Sequence, residues 1–131
     1  MTHIKEDEMS NKILVIDDAQ SIRQVVKLVL GEHGYDVTEA EDGKDALSKL
    51  NGESLDLIIC DVNMPNMNGI EFLDELKNNE AYAEYKFIPL IMLTTEAGKD
   101  MKDKGKELGA KAWLVKPFQP EQLIDAIKKL L

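Results

Sequence analysis

The apolar residues of this chain fall into two patterns that alternate from one end to the other. "KILVI" (12–16), "DLIIC" (56–60), "FIPLIML" (87–93) and "KAWLV" (111–115) are short and nearly unbroken. Runs of that length read as buried strands. A weaker run near 35–39 follows Gly34, a helix-stopping residue, and predicts one more strand. Between the runs, apolar positions recur every three or four residues, the stripe of a helix face. Ile22, Val25, Val26 and Val29 form the first stripe, and Ala46, Leu47 and Leu50 the second. Ile70, Leu73 and Leu76 mark a helix over about 68–79, and Ala97, Met101 and Leu108 a poorer one over 97–108. Leu123, Ile124, Ile127, Leu130 and Leu131 line the last. Asp42 is placed to cap the second helix and Gly52 to end it. Pro120 suits a first helical turn, and Lys128 and Lys129 suit a C-terminal one. Gly98 and Gly105 each weaken the 97–108 helix by roughly 1 kcal/mol relative to Ala.

Strand and helix thus alternate five times with no internal repeat and no linker. Strands apolar throughout, rather than every second residue, imply a parallel sheet covered on both faces. Right-handed crossovers make this a (βα)5 doubly wound five-stranded parallel sheet with helices on both faces. The first ten residues, "MTHIKEDEMS", carry charge and no apolar block, and are expected to be a disordered leader before one domain at 11–131.

Composition narrows the function. The 131 residues hold 25 acidic and 16 basic side chains, a net charge of −9. That argues against a nucleic-acid binder, which needs a basic face, and against docking on anionic lipid. No run approaches the roughly 20 apolar residues of a membrane helix. The single cysteine, Cys60, permits no internal disulfide and reads as a core residue; the pattern fits a reducing, cytoplasmic setting. His3 and His33 stand in unrelated places and receive no role.

In doubly wound folds ligands bind beyond the C-terminal strand ends. The residues there are Asp17 and Asp18 after the first strand, Asp61 after the third, Thr94 after the fourth, and Lys116 with Pro117 after the fifth. Taken singly, Asp18 is a helix cap, Asp61 a turn acid, Thr94 a strand residue and Lys116 a solvated lysine. Taken together they are harder to dismiss. Two carboxylates about 4 Å apart repel by roughly 4 kcal/mol at an effective dielectric near 20. Three gathered acids call for a cation or a raised pKa. Oxygen-only donors favour Mg²⁺ over zinc. A carboxylate can also attack a phosphoryl group, whose transfer needs positioning and charge neutralisation. The metal, Lys116 and the Thr94 hydroxyl would then take one phosphoryl oxygen each.

"VIDDAQSIR", "DVNMPNMNG", "MLTTEA" and "WLVKPF" resemble the four signature stretches of response-regulator receiver domains, and the likeness covers about residues 11–131. It implies a flavodoxin-like strand order 2-1-3-4-5. Asp61 matches the phosphoacceptor, which takes a phosphoryl group from a histidine kinase phosphohistidine. Asp18 and Asp61 match direct Mg²⁺ ligands, Asn63 a ligand through its backbone carbonyl, and Asp17 a ligand through water; Mn²⁺ is an expected substitute. Thr94 and Lys116 match the phosphoryl-binding pair, and Lys116–Pro117 a cis peptide bond. Asn63 and Glu96 match positions that tune dephosphorylation. Thr94 and Trp113 match the switch pair, with Trp standing where Tyr or Phe is usual. Thr95 and Asn68 depart from the usual Ala and Asp.

The resemblance implies a phosphoacceptor signalling protein, a monomer, and not an enzyme turning over a separate substrate. Expected partners are a histidine kinase, a phosphatase, and a target such as a flagellar motor switch met by the 97–131 surface. No effector domain is expected after the last helix, so output is expected through protein contacts, with a phosphorelay carrier or phosphate sink, also lone receivers, as the alternative. A flavin domain of this architecture would meet two carboxylates in "DDAQS", where its phosphate should sit. A Mg²⁺-dependent phosphohydrolase with an Asp nucleophile would want a cap insertion, and no segment is long enough. A receiver that has lost phosphorylation would not be expected to keep all five positions.

Overall fold

The computed structural model describes residues 11–95 and 99–131. The expected leader, His3, Glu96, Ala97 and Gly98 lie outside these residues. Strands β1 (Lys12–Ile16), β2 (Asp36–Ala40), β3 (Leu57–Asp61), β4 (Leu90–Thr94) and β5 (Ala112–Val115) pair in parallel in the order β2-β1-β3-β4-β5. Helices α1 (Gln20–Glu32), α2 (Gly43–Lys49), α3 (Gly69–Asn78) and α4 (Lys99–Glu107) link them, and α5 (Pro120–Leu130) follows β5.

Because successive strand residues point to opposite faces, each strand feeds two cores. Ile13, Val15, Leu57, Ile59, Ile91 and Leu93 pack with Val26 and Leu30 of α1 and Leu123, Ile124 and Ile127 of α5. Leu14, Ile16, Ile58, Cys60 and Met92 pack on the other face with Ala46 of α2 and Phe72, Leu73 and Leu76 of α3. The three central strands are therefore apolar at nearly every position. Edge strand β2, with only Ala40 buried, alternates instead.

Local chemistry sets the ends of the helices. Asp42 caps α2 by accepting the Asp45 amide at 2.8 Å. Asn68 and Glu71 form a reciprocal capping box at the start of α3, satisfying two amides that a bare helix end leaves orphaned. Gly34 and Gly52 take positive φ of 83° and 96°, where a side chain would be strained.

Three sequence expectations need correcting, and one element was not foreseen. The apolar run 87–93 is not all strand: β4 begins at Leu90, and Phe87 is 87% exposed. Pro89 has no amide to give the ladder and sits just before it, its carbonyl accepting the Ile58 amide at 3.0 Å. A 3₁₀ segment, Glu80–Tyr85, precedes that turn and has no apolar stripe to announce it. Tyr85 anchors it: its hydroxyl accepts the Gly52 amide and donates to the Glu53 carbonyl, both at 2.8 Å. On α1 the stripe is narrower than its spacing implies, since Val25 is 58% exposed while Leu30 is buried. At the end of the chain Leu131 lies past α5 and is 43% exposed.

Candidate functional site: an acidic cluster at the strand ends

Parallel strands bring their C-terminal ends to one edge, and there the polar residues gather. Asp17 follows the last residue of β1 and is fully buried. Its carboxylate is engaged on both oxygens. Oδ1 accepts the Ala19 amide at 2.9 Å, and Oδ2 takes the Lys116 ammonium at 2.6 Å. Asp61 ends β3 and is 5% exposed, with its Oδ2 3.4 Å from the same Lys116 nitrogen. Asp18 is exposed, yet one carboxylate oxygen from each of Asp17, Asp18 and Asp61 falls within 4.8 Å of the others. Among the described residues this is the one group of acidic, His or Cys side chains spaced to hold a metal ion.

Burial first, and the Asp17 carboxylate second, push the Asp61 carboxyl up from 3.8 to about 6, while Lys116 pulls the other way. A group so placed is ionised at neutral pH under stress, and a cation relieves it. The donor set is all oxygen and anionic, which fits a hard divalent ion such as Mg²⁺ and not zinc. Cys60, next in the strand, is a core residue and no nucleophile: burial, then the Asp61 charge, hold its thiol well above its ordinary value.

The acids open onto a cavity of about 610 Å³. Asn63, Thr95 and Lys116 share its wall with Ile22, Val26 and Leu123. Thr94, 1% exposed, ends β4 beside Asp61's neighbour Leu93, and the Thr94 carbonyl accepts the Lys116 amide at 2.7 Å. The Lys116–Pro117 peptide bond is cis. Glu96 lies outside the described residues.

Trp113 stands apart from this cavity. It pairs with Met92 in the ladder and packs under α4. A methyl group on Gly105 would lie 2.7 Å from its ring and 3.7 Å from Ile70, so only a residue without a side chain leaves room for the indole. Its Nε1 is buried and meets no hydrogen-bond acceptor among the described residues.

The loop after Asp61 is fastened from two sides. Gly69 packs so closely on the strand end that a Cβ there would lie 2.4 Å from the Asp61 carbonyl oxygen, and its amide bonds the Val62 carbonyl at 2.8 Å. Farther along, Asn66 donates to Asp42 at 2.8 Å, and the Gly43 amide bonds the Met67 carbonyl at 3.2 Å. Sequence reading assigned Asp42 to capping and missed this second duty, because nothing local to 42 announces a partner at 66.

Comparison with known proteins agrees with this geometry. Residues 13–128 match the family described as the response regulator receiver domain. The chain is 38% identical over 123 residues to the alkaline phosphatase synthesis transcriptional regulatory protein PhoP of Bacillus subtilis, covering 94% of this chain but 49% of that one. It therefore spans about half the length of that relative. It is 37% identical over 124 residues to the chemotaxis protein CheY of the same organism, covering 94% and 99%. The structure of the Vibrio cholerae chemotaxis protein CheY4 superposes with a TM-score of 0.86 at 45% identity, over 93% of this chain and 99% of that one. The strand order, the acids at the strand ends and the extent of these matches lead to one conclusion: this chain belongs to the family of response-regulator receiver domains.

Proposed function

We propose that this domain takes a phosphoryl group from a histidine kinase phosphohistidine onto Asp61, with Mg²⁺ bound, and thereby changes the surface it offers a target protein. The observation that carries this reading is the pairing of one lysine with two buried carboxylates, Asp17 at 2.6 Å and Asp61 at 3.4 Å.

In the reaction an Asp61 oxygen attacks phosphorus, the phosphorus–nitrogen bond breaks, and the imidazole leaves with the bonding pair. The carboxylate must be ionised to attack, which a value of about 6 allows at neutral pH. The transition state is loose, with charge spread over three oxygens, so the protein's work is positioning and charge neutralisation. Lys116 is already beside Asp61 and takes one of those oxygens. The Thr94 hydroxyl takes a second. Asp18, Asp61, the Asn63 carbonyl and, through water, Asp17 would hold the divalent ion, with Mn²⁺ able to replace Mg²⁺. A bound ion would supply positive charge to offset that of the phosphoryl group. Asn63 and Glu96 tune water's access and so the lifetime of the acyl phosphate.

The output runs through Thr94 and Trp113 to the surface built from residues 97–131. Likeness to chemotaxis proteins supports a motor-switch type of target and a cytoplasmic setting. Among the described residues no helix is long and apolar enough to cross a membrane.

The test supplies Mg²⁺ and a small acyl phosphate while following intact mass and Trp113 emission. A gain of one phosphoryl mass, lost in Asp61→Asn, is the expected result. No acyl phosphate on the wild-type protein would refute the reading. Pull-down with and without phosphodonor then separates a target-binding output from a relay role.

A further inference from the structure

The cluster at the strand ends is one end of a longer chain of polar contacts. Glu39 lies on edge strand β2, two strands from Asp61. Its Oε1 accepts from the Arg23 Nε at 3.3 Å, and its Oε2 meets the Lys27 ammonium at 3.5 Å. Arg23 sits on the first turns of α1, its side chain 14% exposed, and its Nη1 donates to the Asp17 backbone carbonyl at 2.5 Å. Asp17 then pairs with Lys116, and Lys116 with Asp61. Two ion-paired groups, Glu39 with Arg23 and Lys116 with Asp17 and Asp61, are thus joined by one hydrogen bond to the Asp17 backbone carbonyl. Lys27 is 56% exposed and adds little to such a chain. Arg23 and Glu39 are its inner members.

The geometry points to Arg23, held by Glu39, as a positioning residue for the acidic site; this rests on the metal-binding reading above. Asp17 has no freedom of its own to aim. Its amide bonds the Ala40 carbonyl at 3.1 Å, its carbonyl takes Arg23, and its carboxylate spans the Ala19 amide and Lys116. The peptide unit that Arg23 grips joins Asp17 to Asp18, so rotation of that unit swings both carboxylates. A guanidinium suits this duty because its fixed fork serves two acceptors at once, here a side-chain oxygen and a carbonyl. A lysine offers one point charge and would satisfy one acceptor at a time. Glu39 keeps the fork in plane from a strand whose position the β1–β2 ladder sets, with Val15 opposite Glu39 and Ile16 opposite Ala40. Partners that orient metal-binding groups in this way typically change metal affinity by about 10- to 100-fold when removed.

The test uses the full chain as wild type, Arg23→Ala, Arg23→Lys and Glu39→Gln, with two readouts. Calorimetry measures Mg²⁺ affinity, and amide exchange in metal-free buffer follows Ala19, whose amide reports the Asp17 carboxylate directly. The expected result is Mg²⁺ binding weakened about tenfold in Arg23→Ala, with Arg23→Lys and Glu39→Gln intermediate. Ala19 should exchange faster in the same rank order while the core amides of Ile58 and Ile91 keep their rates. Unchanged Ala19 exchange and unchanged Mg²⁺ affinity in Arg23→Ala would overturn the proposal. Core amides accelerating by the same factor as Ala19 would also overturn it, since Arg23 would then support the fold at large. Failure of the wild type to bind Mg²⁺ would strike the metal reading alone, and the exchange comparison would still decide whether Arg23 positions Asp17. If Arg23→Ala does not fold, the two conservative variants carry the same comparisons.

Discussion

Asp61 is held where a carboxylate is uncomfortable, and its discomfort has a definite sign. Its folded value of about 6 stands above the unfolded 3.8, so the folded chain binds the extra proton between them. The contribution of this group to stability is fully present below 3.8 and is lost as pH rises through about 6. Above pH 6 the metal-free fold is therefore weaker, by roughly 1–3 kcal/mol, than it would be with a neutral isostere. Asp61→Asn should raise the urea midpoint in chelator-treated buffer well above pH 6, and the gain should vanish in acid. An equal midpoint at both pH values would contradict the placement of these charges. Asp42 behaves in the opposite sense. The Asp45 amide, then Asn66, hold its carboxyl below 3.8, so its support is present above 3.8 and lost as pH falls through the folded value. Asp42→Ala removes a cap and the Asn66 tether together, and should cost about 1–2 kcal/mol in neutral buffer by urea unfolding. At this scale the sequence was informative where chemistry sits at strand ends: Asp17, Asp18, Asp61 and Lys116 were visible as a set. Arg23 and Glu39 were not, because their pairing joins a helix to an edge strand and neither residue is unusual where it stands.

Among the α-helices, α4 buries the fewest of its described residues. Among its described residues only Gly105 is buried, whereas α1 buries Val26 and Leu30. Its amides should exchange faster than those of α1, and equal protection would remove the ground for treating it as a mobile part. The weak stripe and two glycines over 97–108 foretold this. They did not reveal why one glycine is there. Gly105 makes space for the Trp113 ring, at 2.7 Å from where a Cβ would stand. Gly→Ala in a helix ordinarily gains about 1 kcal/mol. Here Gly105→Ala should instead cost about 1–3 kcal/mol through overpacking. Combining it with Trp113→Phe, which shortens the ring, should recover much of that loss. A double-mutant cycle in urea should show coupling of roughly 1 kcal/mol or more, and simple additivity would refute the contact. The bounds of β4 show the converse limit of pattern reading. "FIPLIML" counts as one apolar run, but Pro89 cannot join a ladder and Phe87 faces solvent. Hydrophobicity alone does not say which residues of a run are paired.

Across the molecule, order β2-β1-β3-β4-β5 sets what belongs together. Apolar runs made the layers and the parallel sheet legible, since a strand buried on both faces admits no polar alternate. Edge strand β2 was the least legible strand for the same reason: it alternates, and its one buried residue is Ala40. The net charge of −9 is a whole-molecule property as well. Self-repulsion of that size is screened by salt, so the metal-free protein should gain urea resistance as sodium chloride is raised. A flat response would mean that the repulsion is already compensated locally.

The pairing of Asp17 with Lys116 joins residues 99 positions apart. Asp17 and Asp18 are made before Asp61, and Lys116 after all three. A nascent chain leaving the ribosome can assemble β2, β1 and β3 while β5 is still unmade, and through that interval the acids stand together without their cation. The last of the five strands to be made therefore delivers Lys116 to the acids. A chain stalled before β5 would carry Asp17 and Asp61 and yet lack the ammonium that stands between them. If the proposed phosphoryl transfer holds, such a fragment should take up a phosphoryl group poorly.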